Sequence, residues 1–222
     1  MKVMVLADIP CKALWDASDP RERLRGIDLI LSCGDLPPDY LEYIATFTSA
    51  PILYVHGNHD CRYDTTPPGG CTCIEDTVYV YRGLRILGLG GSIQYNPNAA
   101  HQYTERAMCA RIRKLFFRLL QTKGFDILLT HSPAQGINDG PDGPHKGFSC
   151  FTALLEKYRP TWFIHGHVHM QYNAKLPRVC TYGDTTVINA CERYVFDMPC
   201  PDEQTEHGCP DHQHTRSFAI RR

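Results

Sequence analysis

The sequence has no apolar run long enough to cross a membrane and almost no net charge. Its 23 basic and 24 acidic residues leave a formal net charge of -1, which does not indicate a general attraction to nucleic acid or to membranes. The apolar segment at residues 1–7 is too short for a signal peptide and leads directly into a polar loop, so it reads as a first strand. We therefore expect a cytoplasmic protein.

Internal repeats and a regular zinc-finger spacing are also absent, although the chain has 11 cysteines. Without a secretory signal, we expect these thiols to be mostly reduced. The spacing of Cys71 and Cys73 is weak evidence for a metal, and a surface loop is the favoured interpretation. We expect a single domain over residues 1–198 and a flexible polar tail over 199–222. An accessory metal site in the tail, which contains cysteine and histidine, is the alternative.

Strand and helix signals alternate along the chain, and 43% of the residues are hydrophobic, enough for one sizeable core. Apolar runs predict strands at 3–7, 27–32, 52–55, 125–129, 161–164, 179–182 and 186–189, and a hairpin over 77–89. Helices are predicted at 14–25, with an interruption near Asp19, and at 40–47, 103–123 and 148–158. Residues 61–73 and 133–147 read as loops. This succession predicts parallel strand pairs joined by right-handed crossovers.

Polar side chains follow five of these strands directly. They are Asp8, Gly34-Asp35, Gly57-Asn58-His59-Asp60, His131 and Gly166-His167-Val168-His169. Loops at strand ends are where an α/β protein builds a site. Aspartate, asparagine and histidine gathered at five such ends indicate a metal site.

The residue types also indicate which chemistry such a site would support. Two divalent metals roughly 4 Å apart can activate water and neutralise a phosphoryl group. Asp35 is the natural bridge, because a carboxylate has two oxygens. Neutral ligands of borderline hardness complete the set and suit Mn, Fe, Zn or Ni. They are Asn58, His131, His167 and His169.

The ordered set resembles the calcineurin-like metallophosphoesterase superfamily. The pattern of that family is D-x-H, G-D, G-N-H-D/E, a single His and G-H-x-H, and its blocks appear here in the same order from Asp8 to His169. The resemblance implies an α/β fold of two packed mixed β-sheets flanked by helices. It also implies a site at the loop edge of those sheets.

Carried over by position, the resemblance implies two metal sites. The first would use Asp8, Asp35 and His169. The second would use Asp35, Asn58, His131 and His167. His59 would contact the phosphate and protonate the leaving oxygen, and Asp60 would orient its imidazole.

The activity implied by the resemblance is that of a metal-dependent phosphoesterase. It would hydrolyse a phosphodiester or a small phosphorylated molecule by direct attack of a metal-bound hydroxide. Mn or Fe is the expected metal, with Zn or Ni as alternatives. The residues indicate neither a membrane partner nor an oligomeric state.

One departure from the pattern affects the first site, since Pro10 stands where the family has a histidine ligand. Three interpretations follow. Water or another side chain could complete the site, the first site could remain empty in a mononuclear or slow enzyme, or the chain could be a non-hydrolytic metal-binding scaffold. We favour the first two, because the ligands of the second site and His59 are all present. The family's further Asp and Arg after G-D are also not matched, since Asp39 comes one residue later and no Arg follows.

The substrate loop and two further histidines are less specific. The loop at 133–147 should overhang the site, where His145 and Lys146 could contact a phosphate, and a solvated loop is the equal alternative. His56 and His165 are interpreted as supporting or packing residues and not as ligands.

Overall fold

Two mixed β-sheets form the centre of the molecule. The computed structural model describes residues 1–170 and 176–199. The strands are β1 (Lys2–Ala7), β2 (Leu29–Ser32), β3 (Ile52–Tyr54), β4 (Cys71–Cys73), β5 (Thr77–Tyr81), β6 (Leu84–Leu89), β7 (Ser92–Ile93), β8 (Gln102–Tyr103), β9 (Ile127–Thr130), β10 (Trp162–His165), β11 (Val179–Tyr182), β12 (Thr185–Asn189) and β13 (Glu192–Asp197). The α-helices are α1 (Lys12–Trp15), α2 (Pro20–Leu24), α3 (Pro38–Phe47), α4 (Glu105–Lys114), α5 (Phe116–Gln121) and α6 (Ser149–Tyr158). A 3-10 helix spans Cys61–Asp64.

The first sheet has the strand order β13-β1-β2-β3-β4. Its strands β1 to β4 run parallel, and β13 returns antiparallel to β1. The second sheet has the order β11-β12-β10-β9-β6-β5, with a parallel centre of β12, β10, β9 and β6 between antiparallel edge strands. The predicted parallel pairing is therefore confirmed.

The main core lies between the two sheets. Alternate residues of β1 and β2, among them Val3, Val5 and Leu29, pack with Ile127 and Ile164 of the second sheet. The opposite face of the first sheet is covered by α1, α2 and α3. The opposite face of the second sheet is covered by α4, α5 and α6. This is the predicted arrangement of two packed mixed sheets flanked by helices, and it is confirmed.

Several element boundaries differ from the predictions. The predicted loop at 61–73 contains the 3-10 helix and ends in β4, which pairs along the edge of β3. The predicted helix at 103–123 is two helices, because the turn at Leu115 tightens and its N–H bonds to the carbonyl of Ile112, three residues back. The strand β13 is not among the predicted strands, since its four central residues are only half-buried and charged residues flank them at both ends.

Two predicted breaks are confirmed. The helix signal over 14–25 divides into α1 and α2, and the side chain of Asp19 caps α2 by accepting from the N–H of Arg21. The hairpin β5–β6 turns at Arg82 and Gly83, which both have positive φ, as a two-residue hairpin turn requires. The predicted division at residue 198 stays a prediction, because residues 200–222 lie outside the described part of the chain.

The helices of the described residues are all too short or too polar to cross a bilayer.

Candidate metal centre

The predicted site residues lie in loops that follow the parallel strands of both sheets. Asp8 follows β1, Asp35 follows β2, and the segment 57–60 follows β3. From the second sheet, His131 follows β9 and His167 follows β10. Because these strands run parallel within each sheet, their carboxyl ends bring the side chains to one edge. The core pairing of the sheets therefore decides which polar residues meet.

The loops after β2 and β3 are in direct backbone contact. A Cβ placed on Gly34 would lie 2.1 Å from the amide nitrogen of Gly57, and one placed on Gly57 would lie 2.0 Å from Asp35 Oδ1. The carboxylate of Asp60 holds the two loops together, since its Oδ2 accepts from the N–H of Asp35 and from the N–H of Gly57, both at 2.7 Å. Glycine at 34 and 57 is thus required for Asp35 to reach the site.

Three of the candidate ligands have a strained backbone. Asp8, Asp35 and His167 have φ angles of 66°, 57° and 67°, in the left-handed region that side chains other than glycine rarely adopt. Such residues persist only where the surrounding structure holds them, and they concentrate at functional sites. At Asp35 and His167, the sharp turn at the end of the strand directs the side chain into the group that these two residues form with His131.

The clearest geometric feature is the convergence of donor atoms on the Nε2 atom of His131. Asn58 Oδ1 lies 2.9 Å from it, His167 Nδ1 lies 3.1 Å from it, and Asp35 Oδ2 lies 3.4 Å from it. Ligand atoms that each bind one ion at about 2.1 Å stand about 3.0 to 3.4 Å apart in octahedral or tetrahedral geometry. The four residues predicted for the second metal therefore fit a divalent ion in both spacing and chemistry.

Backbone carbonyls orient two of these candidate ligands, His131 and His167. The Nδ1 atom of His131 donates to the carbonyl of Cys33 at 2.7 Å. The Nε2 atom of His167 donates to the carbonyl of Pro144 at 2.7 Å. Each ring therefore presents its other nitrogen to the site. The bond to Pro144 also shows that the loop at 133–147 overhangs the site.

Tyr95 contacts the candidate ligand Asn58, and no motif in the sequence pointed to it. Its hydroxyl oxygen accepts from Asn58 Nδ2 at 3.0 Å, which leaves Asn58 Oδ1 facing the site. We expect Tyr95→Phe to weaken metal affinity by roughly 10- to 100-fold, because loss of a supporting partner costs about that much. Metal titration calorimetry checks this. Tyr182→Phe, which removes a hydroxyl bonded to Glu156 away from the site, is the matched control and should bind metal normally. Equal affinity in both variants would show that Tyr95 does not position Asn58.

The cluster pairs an ionised carboxylate with a protonated imidazole. Burial would raise the pKa of Asp35, but the charge of His131 and the hydrogen bonds to Asp35 hold that pKa well below its usual range. Burial would lower the pKa of His131, but the neighbouring carboxylate of Asp35 raises it to about 9. Burial and the charge of His131 lower the pKa of His167 to about 3, so this ligand is neutral.

This charge pattern predicts how metal affinity depends on pH. A metal must displace the proton of His131, so we expect the affinity to rise as the pH approaches about 9 and to level off above it. Below that pH, the slope should approach tenfold per unit for one released proton. Proton release measured during metal binding in buffers of different ionisation enthalpy checks the sign. An affinity that does not change between pH 7 and pH 9 would contradict it.

The residues predicted for the first metal are not gathered in the same way. Both carboxylate oxygens of Asp8 accept from the N–H of His167, at 2.9 and 3.1 Å, and burial raises the pKa of Asp8 to about 6. Among the described residues, donor atoms of Asp35, His131 and His167 lie within 4.8 Å of one another, but Asp8 and His169 join no such group. His169 instead lines a cleft of ≈ 290 Å³ beside His145. The first site therefore stays a prediction.

His59 is exposed at the rim of the centre. Its backbone N–H donates to Asp35 Oδ1 at 2.8 Å, and the residue lines a cleft of ≈ 260 Å³ with Arg62 and Pro37. The described contacts of the Asp60 carboxylate run to the backbone of residues 35 and 57, so its predicted action on the His59 imidazole stays a prediction.

The remaining histidines near the centre have other partners. His56 Nδ1 pairs with Glu75 at 2.5 Å, and Glu75 also pairs with Arg111. His165 is buried, and its Nδ1 lies 3.0 Å from the carbonyl oxygen of Gly166. The interpretation of both residues as supporting or packing residues, and not as ligands, stays a prediction. His145 pairs with Asp142 in the overhanging loop, and its ring lies 5.3 Å from that of His167.

Comparisons with known proteins agree with this architecture. A family model described as calcineurin-like phosphoesterase matches residues 1–171. The UPF0046 protein T07D4.2 of Caenorhabditis elegans is 30% identical over 99 residues, which is 44% of this chain and 24% of that protein. The match thus spans about a quarter of the curated relative's length.

Two solved structures share the fold. The crystal structure of TT1561 of Thermus thermophilus superposes with a TM-score of 0.61 at 15% identity, covering 86% of this chain and 89% of that one. GAP50, described as the anchor in the inner membrane complex of Plasmodium, has a TM-score of 0.51 at 12% identity, covering 85% of this chain and 70% of that one.

Proposed function

The chain belongs to the calcineurin-like phosphoesterase family, and we propose that it is a metal-dependent phosphoesterase acting on a phosphodiester or a small phosphorylated molecule. The observation that supports this is the convergence of Asn58, His167 and Asp35 on the Nε2 atom of His131. A structural zinc module would instead use closely spaced cysteines. Carboxylate, amide and imidazole ligands beside an open cleft suit hydrolysis better.

In this proposal, the four residues of the second site hold a divalent ion, and Mn or Fe is the expected metal. When bound, the ion supplies an acidified water and offsets charge on the phosphoryl oxygens. His59, exposed at the rim, donates a proton to the leaving oxygen. The Asp60 carboxylate fixes the loop that carries His59, because it binds the amides on both sides of the loop contact. No covalent enzyme intermediate is required.

We infer that the second site binds its metal tightly and that the first site is weak. Pro10 offers no ligand atom, and the Asp8 carboxylate is held by the backbone N–H of His167. Pro10→His should therefore raise the metal content from about one ion per chain toward two and should increase turnover. Pro10→Ala is the matched control, since it removes the proline without adding a ligand. Unchanged metal content and rate in Pro10→His would refute this account of the first site.

The proposed activity is tested by hydrolysis of bis(p-nitrophenyl) phosphate by the pure chain with Mn²⁺. We expect turnover that requires added metal, is lost after chelation and returns when Mn²⁺ is restored. A rate that is indifferent to metal would contradict the proposal.

The competing function is a metal-binding interaction protein that does not hydrolyse phosphate esters. Pro10 and the engaged carboxylate of Asp8 favour it, because both weaken the first site. Metal binding and turnover measured together distinguish the two functions. Stoichiometric metal binding without turnover of diester or monoester substrates in Mn²⁺, Fe²⁺, Ni²⁺ or Zn²⁺ would favour the interaction protein.

A further inference from the structure

Three large apolar side chains of α5 face solvent on the outer side of the second sheet. Phe116, Phe117 and Leu120 are 52%, 79% and 65% exposed. Their neighbour Leu119 is buried against the sheet, so α5 has one face in the core and another that is apolar and uncovered among the described residues. We call Phe116, Phe117 and Leu120 the α5 apolar face. Two adjacent exposed phenylalanines are costly to leave in water and indicate an interaction surface.

The chain segment that carries the α5 apolar face, residues 106–125, has charges of one sign. Residues 106–125 contain six basic and no acidic side chains. Five of the six are exposed, namely Arg106, Arg113, Lys114, Arg118 and Lys123. The sixth, Arg111, is half-buried and paired with Glu75 and Asp76. Although the net charge of the chain is close to zero, the segment 106–125 therefore forms a local basic surface.

A cleft continues the face toward α6. It has a volume of ≈ 680 Å³ and is lined mainly by apolar and aromatic residues such as Ile112, Leu154 and Tyr158. Among the described residues, the charged side chains that line it are Arg113 and Lys157, and none is a carboxylate. A cleft of this size with basic groups at its margin can accommodate part of an acyl chain whose head carries negative charge.

We propose that the α5 apolar face docks the protein on an anionic lipid bilayer. Phe116, Phe117 and Leu120 enter the boundary between headgroups and acyl chains, and the surrounding arginine and lysine side chains contact lipid phosphates. A second copy of the chain is a poorer occupant, because two like basic surfaces would face each other across the contact. A bilayer matches both the apolar centre and the charge of the margin.

The test is co-sedimentation of the full chain with vesicles of phosphatidylcholine, with and without phosphatidylglycerol. We expect binding that needs phosphatidylglycerol and weakens as salt is added. Phe117→Ser combined with Leu120→Ser should weaken binding about tenfold or more. Arg113→Gln combined with Lys114→Gln should weaken it by roughly tenfold or more. Val179→Ser on β11, at the opposite edge of the second sheet, is the control, since Val179 is 40% exposed and should not matter.

All substituted side chains are exposed, so the variants should unfold at the same temperature as the unchanged chain. Three results would overturn the proposal. They are no binding to phosphatidylglycerol vesicles, equal binding by the chain and its double variants, or dimerisation through Phe117 and Leu120 without vesicle binding. Phosphoesterase activity in solution should be the same in every variant, because these residues lie on the outer face of the sheet.

Discussion

A chain in which His131 is replaced by alanine should lose metal binding at the centre and, with it, metal-dependent turnover. Asn58, His167 and Asp35 all lie close to His131 Nε2. The substitution therefore removes one proposed ligand and the contacts that it makes with the other three. The loss of affinity should exceed the roughly 10- to 100-fold that removal of a supporting partner costs. Metal content after dialysis and turnover of bis(p-nitrophenyl) phosphate check it.

The matched control is His165→Ala. His165 is as buried as His131, and its Nδ1 contacts the carbonyl of Gly166, so its removal leaves a similar cavity without removing a predicted ligand. We expect this variant to keep its metal. If His131→Ala bound metal as tightly as the unchanged chain, the centre would lie elsewhere. If both variants lost metal equally, packing and not ligation would explain the loss.

The candidate ligands and the sheet edge where they lie could be predicted from the sequence because strand ends carry that information locally. Asp35, Asn58, His131 and His167 each follow an apolar run, and parallel pairing brings such ends to one edge within each sheet whatever the loops between them do. The resemblance carried by the ordered blocks also implied two packed mixed sheets. These inferences needed only periodicity, turn chemistry and the family pattern.

The groups that orient the ligands could not be predicted in the same way. The carbonyls of Cys33 and Pro144 carry no side-chain signal, since every residue has a carbonyl. Tyr95 is 37 residues from Asn58, in a segment without a motif. The Asp8 carboxylate accepts from the backbone N–H of His167. This contact depends on the left-handed backbone of both residues, which only the assembled loops impose.

Gly34→Ala should strongly destabilise the fold near the centre. Gly34 has a φ of +91°, and a Cβ there would lie 2.1 Å from the amide nitrogen of Gly57, which is backbone and cannot rotate away. The positive φ alone costs an alanine about 1 to 2 kcal/mol, and the backbone clash adds roughly 1 to 3 kcal/mol or more. We therefore expect a loss of about 3 kcal/mol or more in the free energy of unfolding, which is a large share of a typical domain's stability.

Gly26→Ala separates the two causes. Gly26 also has a positive φ, +74°, but a Cβ there meets nothing within 4 Å, so this variant carries the backbone strain without the clash. Urea unfolding of the metal-free proteins should place Gly26→Ala within about 1 to 2 kcal/mol of the unchanged chain and Gly34→Ala well below it. Equal losses would mean that the loops after β2 and β3 can part at little cost. The contact of Gly34 with Gly57 also positions Asp35 in the site. Gly34→Ala should therefore lose metal affinity even where it still folds, whereas Gly26→Ala should keep it.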